Sequence, residues 1–400
     1  MDLHSSQPFW LFRHGNINSY PSLNDDLKTD IAIIGAGISG ALVANRLCKD
    51  GHKVVVIDRR HAGTGSTAAS TALLQYEIDT PLHKLITMVG EKNATRSYAL
   101  CRKTIDDMGN LCKQLKAPGL FLRKPSFQYA SYKKDVPGLE AEFKLRRNAN
   151  FSIQWLDEKD IIDKFGFAKQ AGILSKDGAE ADAYKITHAI LEKWGRKGLQ
   201  VYDNTEVIAI RHQKKRVQLT TANNKKITAK KLIIACGYES QKYIPQKVQT
   251  LRATYAIASE PFAETNFWHK NALIWETADP YLYIRTTSDN RIIIGGKDVG
   301  FSNPHKRDQL LTQKARELEK AFIKLFPSIL LKTDVKWAGT FAATEDGLPY
   351  IGGIPERPHT YFALGFGGNG ITFSLIAADI IADVLLGKKN SDAEIFKFNR

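Results

Sequence analysis

The stretch from Thr29 to Arg60, TDIAIIGAGISGALVANRLCKDGHKVVVIDRR, limits the possible folds more than any other part of the chain. Ile31 to Ile34 is a short apolar run, the length of a strand buried on both faces of a parallel sheet. Gly35, Gly37 and Gly40 follow as G-x-G-x-x-G, and Ser39 to Lys49 reads as a helix packing through Ala41, Leu42, Ala44, Leu47 and Cys48. Lys53 to Ile57 is a second apolar strand, ended by Asp58. Each part has a physical task. Gly35 permits the tight turn, Gly37 leaves room for a pyrophosphate against the backbone, and Gly40 lets helix and strand close up. The helix start offers free N–H groups and about half a positive charge to phosphates. Asp58 is placed to accept hydrogen bonds from a ribose diol. Glycine-rich turns are common, but here a strand precedes, a helix follows and an acid ends the next strand. That context points to a bound dinucleotide, and it leaves open which one. Arg59 and Arg60 suit a 2′-phosphate, which Asp58 would repel; equally, an arginine there lies over an adenine or pairs with the phosphates of FAD.

A chain of 400 residues is too long for one compact core and long enough for two domains. The most apolar candidate for a membrane span, Ile371 to Leu386, is interrupted by Asp379 and Asp383, so no span is expected. The N-terminus has no basic region followed by an apolar core, and Cys48, Cys101, Cys112 and Cys236 have no metal-ligand spacing. No metal and a cytoplasmic location are therefore expected. The formal net charge of +15 permits attraction to anions. Its lysines are scattered, however, and the clusters Lys214-Lys215-Arg216, Lys225-Lys226 and Lys230-Lys231 flank strand-like segments as hairpin loops do, so nucleic acid is not the expected partner.

Residues 1 to 28, with Trp10, Phe12, Tyr20 and Pro21, read as a leader over the first strand. After Asp58 comes a run of small and hydroxylated side chains from Thr64 to Ala72, which suits close packing against a flat, phosphate-bearing ligand or a surface loop. Pro81 to Ala117 has helical spacing, Phe121 to Ala130 and Phe151 to Trp155 look like strands, and Leu156 to Phe165 is a short helix. Gly172 to Leu174 leads into a helix from Asp182 or Ala183 to about Lys197. Val201 to His212 and Val217 to Thr221 are strands around a basic turn, and Ala229 to Gly237 reads as a buried parallel strand. Thr250 to Glu260, Tyr281 to Thr287 and Asn290 to Gly295 alternate as in an antiparallel sheet, and Leu310 to Phe326 is a helix. Tyr361 to Leu364, the glycines Gly365, Gly367, Gly368 and Gly370, and a helix from Ile371 to Leu386 form a second strand–glycine–helix element. Two such elements at opposite ends of one chain argue for one large ligand held from both ends.

With these pieces in order, the sequence resembles the D-amino-acid oxidase and glycine/sarcosine oxidase (DAO-type) family of FAD-dependent oxidoreductases. The resemblance covers nearly the whole chain. It rests on IIGAGISG with Asp58, Ser66 to Ala72, DAYKIT at Asp182 to Thr187, NTEV at Asn204 to Val207, LIIACG, RIIIGG at Arg291 to Gly296 and the closing WAG…TEDGLPYIG…GFGGNGI block. It implies an α/β fold: a glutathione-reductase-type, Rossmann-like FAD-binding domain (1–80, 181–240 and 336–400) and a substrate domain with a large mixed, mainly antiparallel β-sheet (81–180 and 241–335). It places FAD contacts on Gly35, Gly37, Ile38, Ser39, Gly40, Asp58, Arg59, Arg60, Ser66, Thr67, Ala68, Ser70, Thr71, Ala72, Val207, Cys236 and Gly237. Near the C-terminus it adds Gly339, Gly367, Gly368, Asn369, Gly370, Ile371 and Thr372, with the last helix aimed at the flavin N1/C2=O region. Such a helix would stabilise the negative charge of reduced flavin.

The implied reaction is hydride removal from a C–H beside nitrogen, giving an imine that water hydrolyses. The implied substrate is a small amine or amino-acid-like molecule, with oxygen or another carrier as electron acceptor. Three departures stand out. Where some members attach FAD through His or Cys, this chain has Thr67 and Ala342-Ala343, so noncovalent FAD is implied. Phe341 stands where glycine-oxidase-like members clamp a carboxylate with Arg, and the strand matching RIIIGG contains no Lys, although Lys297 follows it. Substrate-side candidates are Gln75, Tyr76, Arg252, Tyr255, Tyr281, Tyr283, Arg285 and Phe341, of which Gln75, Tyr255, Tyr283 and Arg285 are the catalytic choices. A flavoenzyme acting on a modified RNA base and a flavin-binding protein without turnover are the other readings.

Overall fold

The apolar run after Asp30 completes the strand Leu27–Ile34, which lies parallel between Lys226–Ile234 and Val54–Ile57. Thr360–Leu364 and Gln200–Tyr202 extend the parallel order outward on the two sides. The computed structural model describes residues 2–5, 7–117, 119–364 and 366–400. One sheet face, carrying Ile31, Ile33, Val54 and Val56, packs against the helices Ile38–Lys49, Glu91–Leu115, Ala183–Gly195 and Gly370–Leu385. The other, carrying Ala32, Ile34, Val55 and Ile57, packs on Val217 and Leu219 of the hairpin Val207–His212/Val217–Thr221. Burial on both faces is why these strands read as uninterrupted apolar runs.

The single strand expected over Val201 to His212 is two strands, Gln200–Tyr202 and Val207–His212. Buried Asp203 separates them, accepting backbone N–H groups of Ala62 at 2.9 Å and Tyr20 at 3.1 Å.

The second sheet has nine strands. Its main order is Thr333–Ala343, Thr250–Ser259, Ile292–Gly300, Tyr283–Thr286, Leu273–Glu276, Phe121–Tyr129, Ala171–Ala181 and Leu73–Leu74, with Ile153–Asp157 also on Ala171–Ala181. All its pairings are antiparallel except Leu273–Glu276 with Phe121–Tyr129. The helix Leu311–Leu325 covers one face through Ala315, Leu318, Phe322 and Leu325, against Tyr255, Ile257, Ile284, Ile292 and Ile294. The opposite face, with Ala256, Ala258, Ile293 and Trp337, merges with the core of the first unit.

Only part of the leader lies over the first strand, where Leu23 packs with Ala32 and Ile34. Its earlier part enters between the two units as the short helix Phe9–His14, where Phe9 stacks on Trp337 at 6.2 Å and His14 bonds Asp182 at 2.6 Å. The segment Gly367–Leu385 is long and apolar enough to cross a membrane, yet 61% of that stretch is buried, and it packs on Ile38–Lys49 as a core helix.

Candidate functional site

Gly35 has φ +113° and a Cβ there would lie 2.5 Å from the Ala235 carbonyl oxygen, so only glycine fits. A Cβ at Gly40 would collide with the carbonyl of Gly35, which shows how closely helix Ile38–Lys49 approaches the strand. Thr67 Oγ1 accepts the Ile38 N–H at 2.9 Å, tying the small-residue run to the helix start. Asp58 accepts the backbone N–H groups of Ala36 and Arg60, each at 2.8 Å, and burial pushes its carboxyl above the usual range. Each oxygen has a further lone pair for a diol. Arg59 and Arg60 both meet Glu239, at 2.5 and 2.9 Å. An acid at that place works against a 2′-phosphate.

The second glycine turn, Gly367–Asn369, leads into Gly370–Leu385; Gly365 lies outside the described residues. Asn369 Nδ2 donates to the carbonyls of Gln75 and Glu77 at 3.2 and 2.8 Å, and Gly368 N–H donates to Asp79 at 2.7 Å. The two helices run side by side from one cleft. Ser39 and Ser374 share a 2.7 Å hydroxyl bond near their starts, and Arg46 bonds Asp379 and Asp383 further along.

The small-residue run is held from outside by four consecutive carbonyls. Trp337 Nε1 donates to Ala69 O at 2.9 Å, Trp10 Nε1 to Ser70 O at 2.7 Å, and Arg285 Nη1 to Thr71 O and Ala72 O at 2.8 and 2.9 Å. Ala72 is left-handed, with φ +52°. Held this way, the run turns its side chains to the cleft, and Ser66 Oγ is buried there without a hydrogen-bond partner among the described residues. A phosphate oxygen would satisfy it.

Every residue expected to hold the cofactor lines this cleft except Gly40 and Ala68. Those two serve packing, Gly40 against Gly35 and Ala68 as a wholly buried residue donating to Gly63 O at 3.0 Å. Burial pushes the Cys236 thiol up to about 12, which keeps it neutral and unreactive.

Of the substrate-side candidates, Gln75, Tyr281, Tyr283 and Phe341 line the cleft, with the Tyr281 and Tyr283 rings 5.8 Å apart. The others need correction. Tyr255 faces the opposite side of its strand, buried under helix Leu311–Leu325 with its hydroxyl on Arg307 O at 3.2 Å. Tyr76 is buried against Phe151, ring centroids 4.6 Å apart. Arg285 is buried and engaged with backbone carbonyls, Ala181 O at 3.0 Å and Thr286 O at 2.8 Å among them. Arg252 is half-buried beside the cleft, 3.7 Å from Asp279. Sequence reasoning missed Asp298, Thr254, Tyr238 and Glu239 on the cleft wall; none belongs to a motif.

Two glycine turns opening parallel helices onto one cleft, an acid for a ribose and a clamped small-residue run define a dinucleotide-binding flavoprotein fold. The chain belongs to the DAO family of FAD-dependent oxidoreductases, whose family model matches residues 30–384. It is an enzyme with FAD as its cofactor, and with Thr67 and Ala342-Ala343 at the attachment positions the flavin is held noncovalently. The glycine oxidase of Geobacillus kaustophilus is 24% identical over 382 residues, covering 91% of this chain and 94% of that protein. Gamma-glutamylputrescine oxidoreductase of Escherichia coli is 25% identical over 403 residues, covering 94% and 87%. The crystal structure of L-proline dehydrogenase from P. horikoshii shares the fold at 19% identity, with a TM-score of 0.78 over 93% of this chain and 97% of that one.

Proposed function

We propose that the enzyme oxidises a C–N bond of a small amine or amino-acid-like substrate by hydride transfer, giving an imine that water hydrolyses. Bound FAD would supply the hydride acceptor. The observation that carries this reading is the continuity of one cleft from the two glycine turns to Gln75, Tyr281, Tyr283 and Phe341. Gln75 Nε2 donates to Ser126 Oγ at 3.2 Å, which fixes its amide at the cleft wall. The tyrosines supply aromatic faces that orient a substrate and exclude water, the positioning part of catalysis. Lys297 lies near Glu317 of the helix behind the sheet and not on the cleft wall, which favours an electron acceptor other than oxygen. The four cysteines are unpaired thiols, as suits the reducing cytoplasm. The test is anaerobic mixing of the FAD-loaded protein with a panel of primary and secondary amines and amino acids, following loss of flavin absorbance. Bleaching by at least one amine is expected. A flavin left oxidised by the whole panel overturns the proposal.

A further inference from the structure

The strand Ile292–Gly300 carries a bulge at the place where it passes the cleft. Tyr255 pairs with Gly296 and Ala253 with Val299, so Thr254 alone stands opposite both Lys297 and Asp298. Lys297 is left-handed, with φ +59°. Before the bulge, Ile292 and Ile294 face the helix Leu311–Leu325, while Ile293 faces the first unit. Strict alternation would put residue 298 with Ile292 and Ile294, away from the cleft. The extra residue reverses the alternation, so Val299 packs on the helix side and Asp298 joins the cleft wall beside Thr254, Tyr281 and Tyr283. Bulges recur where a side chain must be re-aimed.

One oxygen of the re-aimed carboxylate is unsatisfied, while the carboxylate also meets the Thr254 hydroxyl. Asp298 Oδ1 is buried and accepts no hydrogen bond from any described residue. Among the described residues, no arginine or lysine from the second sheet lines the cleft to clamp a substrate carboxylate. Arg285 is engaged with backbone carbonyls, half-buried Arg252 lies 3.7 Å from Asp279 and off the cleft wall, and Phe341 occupies the wall next to it on the paired strand. We propose that Asp298, with the rings of Tyr281 and Tyr283, anchors the positively charged nitrogen of a cationic amine, so that this end of the cleft selects alkylammonium substrates over those held by a carboxylate. The inference rests on the amine-oxidising reading above and specifies its substrate class. A carboxylate with two aromatic faces is the pairing that holds an organic cation: charge from one side, ring quadrupoles from the others.

The charge of the site depends on pH. Burial pushes the Asp298 carboxyl up to about 6; Asp79 and Asp279 push the same way, and the Thr254 hydroxyl and Arg252 oppose them. Tyr281 and Tyr283, also facing it, are held neutral by burial. The cation site is therefore protonated and weak below that pH and ionised above it.

The experiment titrates FAD-loaded protein with benzyltrimethylammonium, whose charge does not change with pH, and separately with benzoate, reading the shift in flavin absorbance. The expected result is that the cation binds, that its affinity rises about ten-fold from pH 5 to pH 7.5, and that benzoate binds at least ten-fold more weakly at pH 7.5. Asp298→Asn is expected to weaken the cation about ten-fold or more and flatten its pH dependence, while Asp298→Glu keeps a rise with pH. FAD content checks that each variant is folded. If a variant loses FAD, the pH profile and the cation–benzoate ratio of the parent protein decide alone. Tighter benzoate binding, no binding of the cation, or a cation affinity indifferent to pH and to Asp298→Asn overturns the inference. If amines still bleach the flavin, the proposed reaction survives that failure.

Discussion

Arg285→Met separates two roles for a buried arginine. Arg285 Nη1 reaches three carbonyls, Thr71 O, Ala72 O and Ala181 O, between 2.8 and 3.0 Å, and Nε reaches Thr286 O at 2.8 Å. Glu180 lies 3.9 Å from the guanidinium. Methionine fills part of the volume but donates nothing, leaving those carbonyls without their cation and Glu180 with only Lys124, 4.0 Å away, as its ionic partner. Removing one partner of a buried charged network is worth about 3–5 kcal/mol. Unfolding entropy of about 2.1 cal/mol/K per residue over 400 residues gives about 0.8 kcal/mol/K, so the melting temperature should fall by about 4–6 °C. FAD affinity should fall with it, because two of the freed carbonyls belong to the run that lines the cofactor cleft. Thermal melts with and without added FAD, plus FAD titration into the apoprotein, measure both. A variant with unchanged melting and FAD affinity that has lost binding of carboxylate ligands would show that Arg285 faces the substrate, and the structural role argued for it would fall.

Gly40→Ala should abolish FAD retention on purification, since the added methyl meets the Gly35 carbonyl and forces helix from strand; the flavin-to-protein absorbance ratio reads it. Trp10→Phe keeps an aromatic ring but removes the donor to Ser70 O and part of the buried indole, so a loss of about 1–2 kcal/mol or more and several-fold weaker FAD binding are expected from melts and titration. Burial pushes Glu77 up to about 7, against the opposing pull of Arg146. The folded chain thus holds this proton more tightly than the unfolded chain, with stability full below about 4.5 and declining as pH rises through 7. Glu77→Gln should flatten that decline in melting temperature between pH 5 and pH 8.

The first strand, both glycine turns and the small-residue run were legible because each is a local pattern whose chemistry is set within a few residues. What could not be read depends on partners distant in the chain. Ala171–Ala181 contains SKDGAEA, with no strand periodicity; it is extended because Phe121–Tyr129 binds one side while Ile153–Asp157 and Leu73–Leu74 bind the other. Tyr255 and Tyr283 looked equivalent, since alternation shows that a strand has two faces and not which one meets the cleft. Asp298 was hidden for a related reason: the bulge that brings it in is a property of the pairing with Thr254, and Gly295-Gly296 was its only local trace.

The paired helices Ile38–Lys49 and Gly370–Leu385 have a consequence for the protein before its cofactor arrives. Their like poles sit together at one opening, and two positive poles side by side repel. An anion between them relieves that repulsion as well as making its own contacts, so part of the grip on a diphosphate comes from tension let go, and inorganic pyrophosphate alone should steady the flavin-free chain.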